Sequence, residues 1–254
     1  MQTAQTGILA PLPPLARYLT FTLGDTRCIA DALREVTGVS TVVLNGQGRA
    51  RALEGLDERT EILSGALSGP VEVPMNGAIY LADLAHGQKT GLFYDQRPNH
   101  AFGQRLAQGA RVLDVFSHVG GFGLAALAAG ATHATCVDGS APALELARGG
   151  ARAMGAEARL TTRQGDAFAQ LEALAEEGAQ FDLVICDPPA FAPSKQALEA
   201  GLRAYERVAR LAAPLVAPGG MPRIAMIWVP SRSGRIESSC SCLASSSIRH
   251  SSCS

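Results

Sequence analysis

The chain has 254 residues, of which 47% are hydrophobic, and a formal net charge of −1 at pH 7. This length is enough for one domain with a sizeable core and a smaller second module. The balanced charge gives no overall sign of a nucleic acid or membrane partner, although a local basic groove can lie within a neutral total. Because the chain lacks both a long apolar run and a signal-peptide pattern, we expect a cytoplasmic protein without a membrane span.

The N-terminal part of the chain predicts a small α+β module. Residues 1–20 contain several prolines and form a loose lead-in, whereas residues 21–85 alternate short apolar stretches with turn signals. Within this module we predict a helix at 29–36, a strand at 40–45 and a hairpin whose turn is Asn76-Gly77.

The region from about residue 100 to residue 220 alternates between strand and helix patterns. Strands are predicted at 111–116, 133–138, 158–162 and 181–186, and helices at 98–108, 121–130, 141–154, 167–178 and 195–216. Nearly continuous apolar strands in such an alternation are typical of a parallel sheet covered by helices on both faces. The sequence therefore predicts an α/β fold with a Rossmann-like parallel sheet.

The last segment, residues 221–254, is rich in serine and cysteine and has no helical or strand period after a short apolar stretch at 224–229. Two interpretations stay open: a disordered serine-rich tail, or a reading frame that shifts near Gly220. We favour the second, because enrichment in serine, arginine and cysteine without periodicity is typical of off-frame translation of a GC-rich gene. The C-terminal strands of the sheet would then be incomplete.

The most informative segment is RVLDVFSHVGGFG, from Arg111 to Gly123. It predicts a buried strand, a glycine-rich turn and the start of a helix. Gly120 and Gly121 allow the backbone to approach a ligand closely, and Asp114 lies beside them at the end of the strand.

Three further acidic residues follow the next predicted strands, so that four carboxylates are expected along one edge of the sheet. They are Asp114, Asp138, Asp166 and Asp187. Any one of them alone could be a helix N-cap, because Asp is common where a strand leads into a helix. Four in succession favour a ligand site, since open α/β sheets bind ligands at the carboxyl ends of their strands.

The turn indicates which ligand this is. It lacks the GxGxxG of dinucleotide enzymes, and the chain has no GxxxxGK[ST] loop for phosphates. These features favour S-adenosylmethionine, which has a ribose, an adenine and an amino-acid end but no phosphate. Asp138 is in the position that holds a ribose, and Asp166 with Ala167 would approach the adenine amine.

The segment Asp187-Pro188-Pro189-Ala190-Phe191 follows the last predicted strand. A rigid Pro-Pro turn there fixes backbone carbonyls and the Asp side chain at the edge of the sheet. The pattern [ND]-P-P-[YF] is typical of enzymes that hold a planar nitrogen-containing ring, with Phe191 stacked on its face. A proline-rich strand exit is the alternative.

The six cysteines show no zinc-type spacing, and we expect free thiols and no metal. Cys28, Cys136 and Cys186 are isolated from one another, whereas Cys240, Cys242 and Cys253 lie close to the end of the chain.

Four motifs together resemble one family. They are GQKTGLFYDQRPN at 87–99, with His100 where the family has arginine; the strand and turn at 112–122, with His118 where it has tyrosine; VDGSAPAL at 137–144; and DPPAF at 187–191. The family is that of the class I S-adenosylmethionine-dependent ribosomal RNA methyltransferases of the large-subunit methyltransferase I type, which make 5-methylcytosine in 23S rRNA. The resemblance covers roughly residues 25–220 and defines 86–220 as the methyltransferase domain.

The resemblance implies the roles of individual residues. Cofactor contacts are expected from Asp95 and Arg97, from the turn residues Phe116, Ser117, Gly120 and Gly121, and from Asp138, Ser140 and Asp166. The flipped-out base would meet Asp187, the catalytic candidate, together with Pro188, Pro189 and Phe191. Ribosomal RNA is the implied partner.

Two departures from the family leave alternatives open. Its members usually begin with an RNA-binding PUA domain, where this chain has only the lead-in. Attack by cytosine C5 also needs a cysteine thiolate, expected in an S-C-S segment, and neither Cys186 nor Cys240 can be assigned to it from the sequence. The alternatives are an N-methyltransferase acting on a purine and a catalytically impaired RNA-binding or ribosome-assembly protein.

Overall fold

The computed structural model of the chain describes residues 18–21, 27–46, 59–85, 91–192, 195–218, 224–227 and 243–244. The predictions for residues 1–17, for residues 86–90 and for most of the tail lie outside these residues. The end of the predicted loose lead-in, residues 18–20, instead belongs to a strand. The chain divides into two compact units, the first within Met1–Pro74 and Leu81–Phe93 and the second within Met75–Tyr80 and Tyr94–Ser254.

Among its described residues, the first unit contains a three-stranded sheet and a helix, and these confirm the predicted helix and strand. Its elements are β1 (Tyr18–Phe21), α1 (Arg27–Thr37), β2 (Thr41–Asn45) and β3 (Thr60–Ser64). The central strand β2 pairs with β1 in parallel and with β3 in antiparallel orientation. All five residues of β2 are buried, and Ala30, Val39 and Val42 form a small apolar cluster.

The predicted hairpin forms from β4 (Val71–Met75) and β5 (Ala78–Ala82). Its turn residues have left-handed backbone conformations, with φ of 54° at Asn76 and 75° at Gly77, as the twist of a tight hairpin requires. The turn belongs to the second unit, although the sequence had suggested a boundary after residue 85.

The second unit is built on a six-stranded sheet in the order β11-β10-β9-β6-β7-β8. The remaining elements are α2 (Arg97–Ala107), β6 (Arg111–Val115), α3 (Gly121–Ala128), β7 (His133–Asp138), α4 (Ala141–Ala153), β8 (Leu160–Gln164), α5 (Ala167–Glu176), β9 (Leu183–Cys186), α6 (Leu198–Ala212), β10 (Ile224–Ile227) and β11 (Leu243–Ala244). Strands β6 to β10 are parallel, and β11 is antiparallel to β10. The predicted α/β parallel sheet is confirmed.

The burial of individual residues explains why the alternating strands and helices form a sheet covered by helices. Strand β9 is buried at all four positions, as expected where helices cover both faces. Helix α6 buries Gly201, Tyr205, Val208 and Ala212, which recur at helical spacing on one face. The predicted continuous helix at 195–216 is shorter than expected, because a 3₁₀ turn lies at each end of α6.

The strand order determines where a ligand site forms. Strand β6 lies in the middle of the sheet, with β7 on one side and β9 on the other. The segments that follow these three strands therefore meet at the carboxyl edge, at the point where the direction of strand addition reverses. Within the described residues, no helix is both long enough and apolar enough to span a membrane.

Candidate active site

The glycine-rich turn after β6 has an unusual backbone. Phe116 and His118 have φ values of 64° and 51°, and Gly120 has φ of 80°. Such conformations are rare for residues with a side chain, and they occur preferentially at functional sites. The carbonyl of Ser117 accepts hydrogen bonds from the N–H groups of Gly120 and Gly121, at 2.8 and 3.1 Å. The turn is thus tightly wound immediately before α3 begins.

Asp138 connects this turn to the end of β7. One carboxylate oxygen accepts the N–H of His118 at 2.7 Å, and the other accepts the N–H of Ser140 at 2.8 Å. The Ser140 hydroxyl in turn accepts the N–H of Ala143 and caps α4. Each carboxylate oxygen of Asp138 keeps lone-pair capacity for a hydroxyl donor, which suits the predicted ribose contact.

Asp114 is the last residue but one of β6, next to the strand end that the sequence indicated, but its side chain is not exposed at the edge of the sheet. Its side chain is fully buried, and Oδ2 accepts the N–H groups of Phe122 and Gly123 at 3.1 and 2.8 Å. It therefore anchors the first turn of α3. Its other oxygen, Oδ1, is buried without a hydrogen-bond partner, and such a group needs an explanation.

Four carboxylates influence one another around this point. The pKa of Asp114 is raised to about 7, chiefly by burial and also by the charges of Asp187 and Asp138, against the lowering effect of the two N–H groups. Burial also raises the pKa of Asp187 to about 6, with a further contribution from Asp95. Among the described residues, no Lys or Arg forms an ion pair with any of the four. This arrangement suits a cationic ligand, which would favour the ionised carboxylates.

Asp166 and Ala167 lie at the start of α5. The carboxylate of Asp166 accepts the N–H of Ala169 at 3.1 Å, so that Asp166 is the N-cap of this helix. The N–H of Gly165 donates to the carbonyl of Asp138, which joins the ends of β7 and β8. Asp166 is exposed, and its predicted contact with adenine stays a prediction.

Arg97 has a partner that the sequence did not suggest. Its Nε donates to the side-chain oxygen of Asn76 at 3.2 Å, and the Asn76 amide donates back to the Arg97 carbonyl at 2.8 Å. Gln104 donates to the carbonyl of Asn76 and to that of Ala125. These bonds fasten the hairpin turn to α2 and α3, and the cofactor contact predicted for Arg97 stays a prediction.

His100 packs beneath the glycine-rich turn. Its ring lies between Tyr80 and Phe122, with centroid distances of 6.1 and 4.6 Å. A Cβ at Gly121 would lie 2.8 Å from His100 Nε2, so the close approach requires glycine at this position. The Tyr80 hydroxyl donates to the Gly121 carbonyl at 2.9 Å. Burial lowers the pKa of His100 to about 4, and this residue is therefore neutral near pH 7.

The DPPAF segment begins directly after β9. The N–H of Asp187 donates to the Val115 carbonyl; Pro188 is buried and Pro189 is exposed. The Phe191 ring is half-buried in an aromatic cluster, with ring centroids 6.1 Å from Phe116, 6.1 Å from Phe168 and 4.9 Å from Tyr205. The stacking role predicted for Phe191 stays a prediction, and Tyr205 is the member of this cluster that the sequence did not identify.

The two described cysteines of this unit are unsuitable as nucleophiles. Cys136 and Cys186 are both fully buried. Burial raises the pKa of each thiol well above its ordinary value, and the nearby Asp114 raises it further. Since the thiolate is the reactive form, both behave as small apolar groups. Cys240, Cys242 and Cys253 lie outside the described residues.

A parallel sheet of this order, with a glycine-rich turn after its first strand and an acid after the second, defines the class I methyltransferase architecture. The model of the S-adenosylmethionine-dependent methyltransferase family matches residues 26–235, and the chain belongs to this family. Its cofactor is therefore S-adenosylmethionine.

Curated relatives carry the name ribosomal RNA large subunit methyltransferase I. The protein of Aeromonas salmonicida (strain A449) is 37% identical over 195 residues, which are 76% of this chain and 49% of the relative. That of Photobacterium profundum is 39% identical over 173 residues, 67% of this chain and 44% of the relative. The chain thus spans about half the length of the curated relatives it matches.

Solved structures agree on the fold. A SAM-dependent methyltransferase from Streptococcus mutans superposes with a TM-score of 0.63 at 22% identity, covering 83% of this chain and 54% of that one. SMU.776, a methyltransferase complexed with SAH, gives a TM-score of 0.64 at 21% identity, covering 85% of this chain and 57% of that one.

Proposed function

We propose that the chain transfers a methyl group from S-adenosylmethionine to a base of ribosomal RNA in the cytoplasm. The observation that carries this proposal is the position of Asp114, Asp138 and Asp187 at or directly after the ends of the adjacent strands β6, β7 and β9, beside the glycine-rich turn. The charge of Asp95 acts on Asp187 at the same edge. The name of the curated relatives supports rRNA as the acceptor. Because the chain spans about half the length of those proteins, their name does not by itself establish the acceptor of this chain, and rRNA is part of our proposal.

The residues present fit the cofactor. S-adenosylmethionine, when bound, supplies an electrophilic methyl group on a positively charged sulfonium. Oδ1 of Asp114 has no hydrogen-bond partner, and the pKa values of Asp114 and Asp187 are raised. A bound cationic group would stabilise both carboxylates in their ionised form. Asp138 would hold the ribose hydroxyls, and Asp166 with Ala167 would border the adenine. Asp95, Ser140 and the turn residues Phe116, Ser117, Gly120 and Gly121 would complete this side.

Asp187 and the Pro188-Pro189 turn would receive the acceptor base. A base within a folded RNA must leave its stack to reach such an edge. The Asp187 carboxylate would accept hydrogen bonds from a ring or exocyclic N–H, and backbone carbonyls of the rigid turn would fix the plane of the base. With a pKa near 6, Asp187 is mostly ionised at neutral pH and can accept a proton.

Of the two candidate acceptor atoms, we favour cytosine C5. Carbon C5 becomes nucleophilic when a cysteine thiolate adds to C6, so that this chemistry needs a reactive thiol. Burial of Cys136 and Cys186 leaves the exposed Cys28 of the first unit, together with Cys240, Cys242 and Cys253, as the remaining thiols. The same burial favours, as a second candidate, methylation of a purine nitrogen, which needs no thiol and needs only a carboxylate such as that of Asp187 to accept the N–H proton.

Methylation of 23S rRNA with isotopically labelled S-adenosylmethionine tests the proposal. We expect label in the RNA, lost with Asp187→Ala, and nucleoside mass spectrometry then identifies 5-methylcytidine or an N-methylpurine. Cofactor binding without transfer to any RNA would instead favour a catalytically impaired RNA-binding protein. Failure to bind the cofactor at all would contradict the proposal that Asp95, Asp114, Asp138 and Asp187 form a site for S-adenosylmethionine.

A further inference from the structure

Helix α6 holds the DPPAF segment through one side chain. The Tyr205 hydroxyl accepts the N–H of Phe191 at 3.2 Å and donates to the carbonyl of Pro189 at 3.4 Å. Its ring lies 4.9 Å from that of Phe191, and only 8% of the residue is exposed. One buried hydroxyl therefore bridges two backbone groups on either side of the exposed Ala190.

Gly201 brings the helix close enough for this contact. It lies one turn before Tyr205 on the same buried face of α6. A Cβ at this position would lie 2.6 Å from the Ala192 Cβ and 3.0 Å from the Phe191 carbonyl carbon. Any side chain at position 201 would therefore push the helix away from the segment, and the Tyr205 hydroxyl would move with it.

The opposite end of the segment is fixed independently. The N–H of Asp187 donates to the Val115 carbonyl at 3.2 Å, and Pro188 is buried. Proline carries no N–H, so residues 188 and 189 offer only their carbonyls for hydrogen bonding. The direction of the Pro189 carbonyl consequently depends on the bond from Tyr205.

We propose that Tyr205 is a positioning residue that sets the acceptor-binding conformation of the DPPAF segment. The inference rests on the proposed function, in which Asp187 and the turn carbonyls receive the base. Transfer of a group between two bound molecules depends steeply on their alignment, and a misplacement of about 1 Å can cost on the order of a hundredfold in rate. Tyr205 acts through Pro189 and Phe191 and leaves the cofactor contacts to other residues.

Tyr205→Phe is the decisive variant, because it removes the hydroxyl and keeps the ring. We expect amide hydrogen exchange at Phe191 to become about tenfold faster, which corresponds to the loss of an ordinary hydrogen bond. With 23S rRNA as acceptor, kcat/KM should fall about tenfold, whereas the Kd for S-adenosylhomocysteine stays unchanged. Gly201→Ala should produce the same separation of effects by moving the helix.

Leu202→Ala is the matched control, since Leu202 lies on the exposed face of the same helix. Equal Phe191 exchange in Tyr205→Phe and the unaltered protein would overturn the proposal, as would an unchanged kcat/KM. These outcomes differ from failure of the proposed function, which would appear as absence of transfer by the unaltered protein. In that case the acceptor role of the segment, and with it the role of Tyr205, is refuted.

Discussion

The two sides of the active-site edge are held together by different forces. On the cofactor side, the carboxylates of Asp114 and Asp138 accept backbone N–H groups from the glycine-rich turn and its helix. On the acceptor side, the DPPAF segment packs in an aromatic cluster, and its backbone bonds to the neutral hydroxyl of Tyr205.

This difference follows from what each side would bind. Buried carboxylates without ion-pair partners raise one another's pKa and leave the unliganded site electrostatically unfavourable, and a bound cation reverses this. A neutral planar base offers no such compensation, so apolar packing and a rigid turn suit it better. The carboxylates, including Asp187 where the two sides meet, should therefore respond to charge and pH, and the aromatic packing of the DPPAF segment should respond to shape.

The largest effect is expected from Asp138→Ala, which removes the acceptor of two backbone N–H groups. Hydrogen bonds to a charged group contribute about 1.5–3 kcal/mol each, so we expect the Kd for S-adenosylhomocysteine to rise about 100-fold by calorimetry. Glu157→Gln, which alters an exposed ion pair with Arg152, is the control. Unchanged affinity of Asp138→Ala would remove the basis for the ribose assignment.

A smaller effect is expected at the base of α3, where a Cβ at Gly123 would overlap the sulfur of Cys136. Overpacking of a filled core costs about 1–3 kcal/mol, so Gly123→Ala should lower the free energy of unfolding in urea by roughly 2 kcal/mol. Adding Cys136→Ala should restore part of this loss. Phe191 exchange should stay unchanged, and a parallel change there would show that the two sides are not independent.

The next prediction concerns pH. Asp114 and Asp187 have pKa values of about 7 and about 6, so both lose protons between about pH 5.5 and pH 7.5. Affinity for S-adenosylmethionine should therefore rise about tenfold across this range. S-adenosylhomocysteine lacks the sulfonium charge and should show a smaller rise, and Asp187→Asn should flatten the lower part of the curve. An affinity that falls with pH would contradict the cationic site.

The stability of the unliganded protein should show the opposite sign for these two carboxyls. Their raised pKa values mean that the folded chain keeps protons which the unfolded chain releases, so their contribution to the free energy of unfolding falls as pH rises from about 4 to about 7. His100 opposes this, because its pKa is lowered to about 4, and its contribution rises with pH from about 4 to about 6.5. Ligand binding is therefore the cleaner measurement.

The smallest effect is expected from Tyr80→Phe, which removes the hydrogen bond to the Gly121 carbonyl. Loss of a neutral hydrogen bond costs about 1 kcal/mol, so the Kd for S-adenosylhomocysteine should rise about fivefold. Tyr205→Phe, the same chemical change on the acceptor side, should leave this Kd unchanged. The comparison fails if the two variants weaken cofactor binding equally.

Much of the fold could be predicted because it depends on local pattern. The apolar runs at β6, β7 and β9 and the Asn76-Gly77 turn carry their own signals. The position of Asp138 at the end of a strand was predicted for the same reason. The strand through Val115 was also predicted, but the burial of the Asp114 side chain was not, because it depends on the first turn of α3 packing over the carboxylate.

Long-range contacts account for what the sequence could not predict. The helical period of α6 indicates that Gly201 and Tyr205 share a buried face, but it does not say which segment covers that face. The bond between Arg97 and Asn76 likewise joins distant parts of the chain. In both cases, the sequence shows the residue type but does not indicate which distant residue it contacts.

The hairpin turn has a practical consequence for protein engineering. Residues Met75–Tyr80 are separated in sequence from the rest of the second unit, yet they supply the Tyr80 hydroxyl and the partner of Arg97. A Cβ at Gly150 would also lie 2.6 Å from the Ile79 carbonyl oxygen, so α4 packs directly on this backbone. A fragment that starts at residue 94 would lack all three contacts. Truncations and domain swaps must therefore keep the hairpin with the catalytic unit.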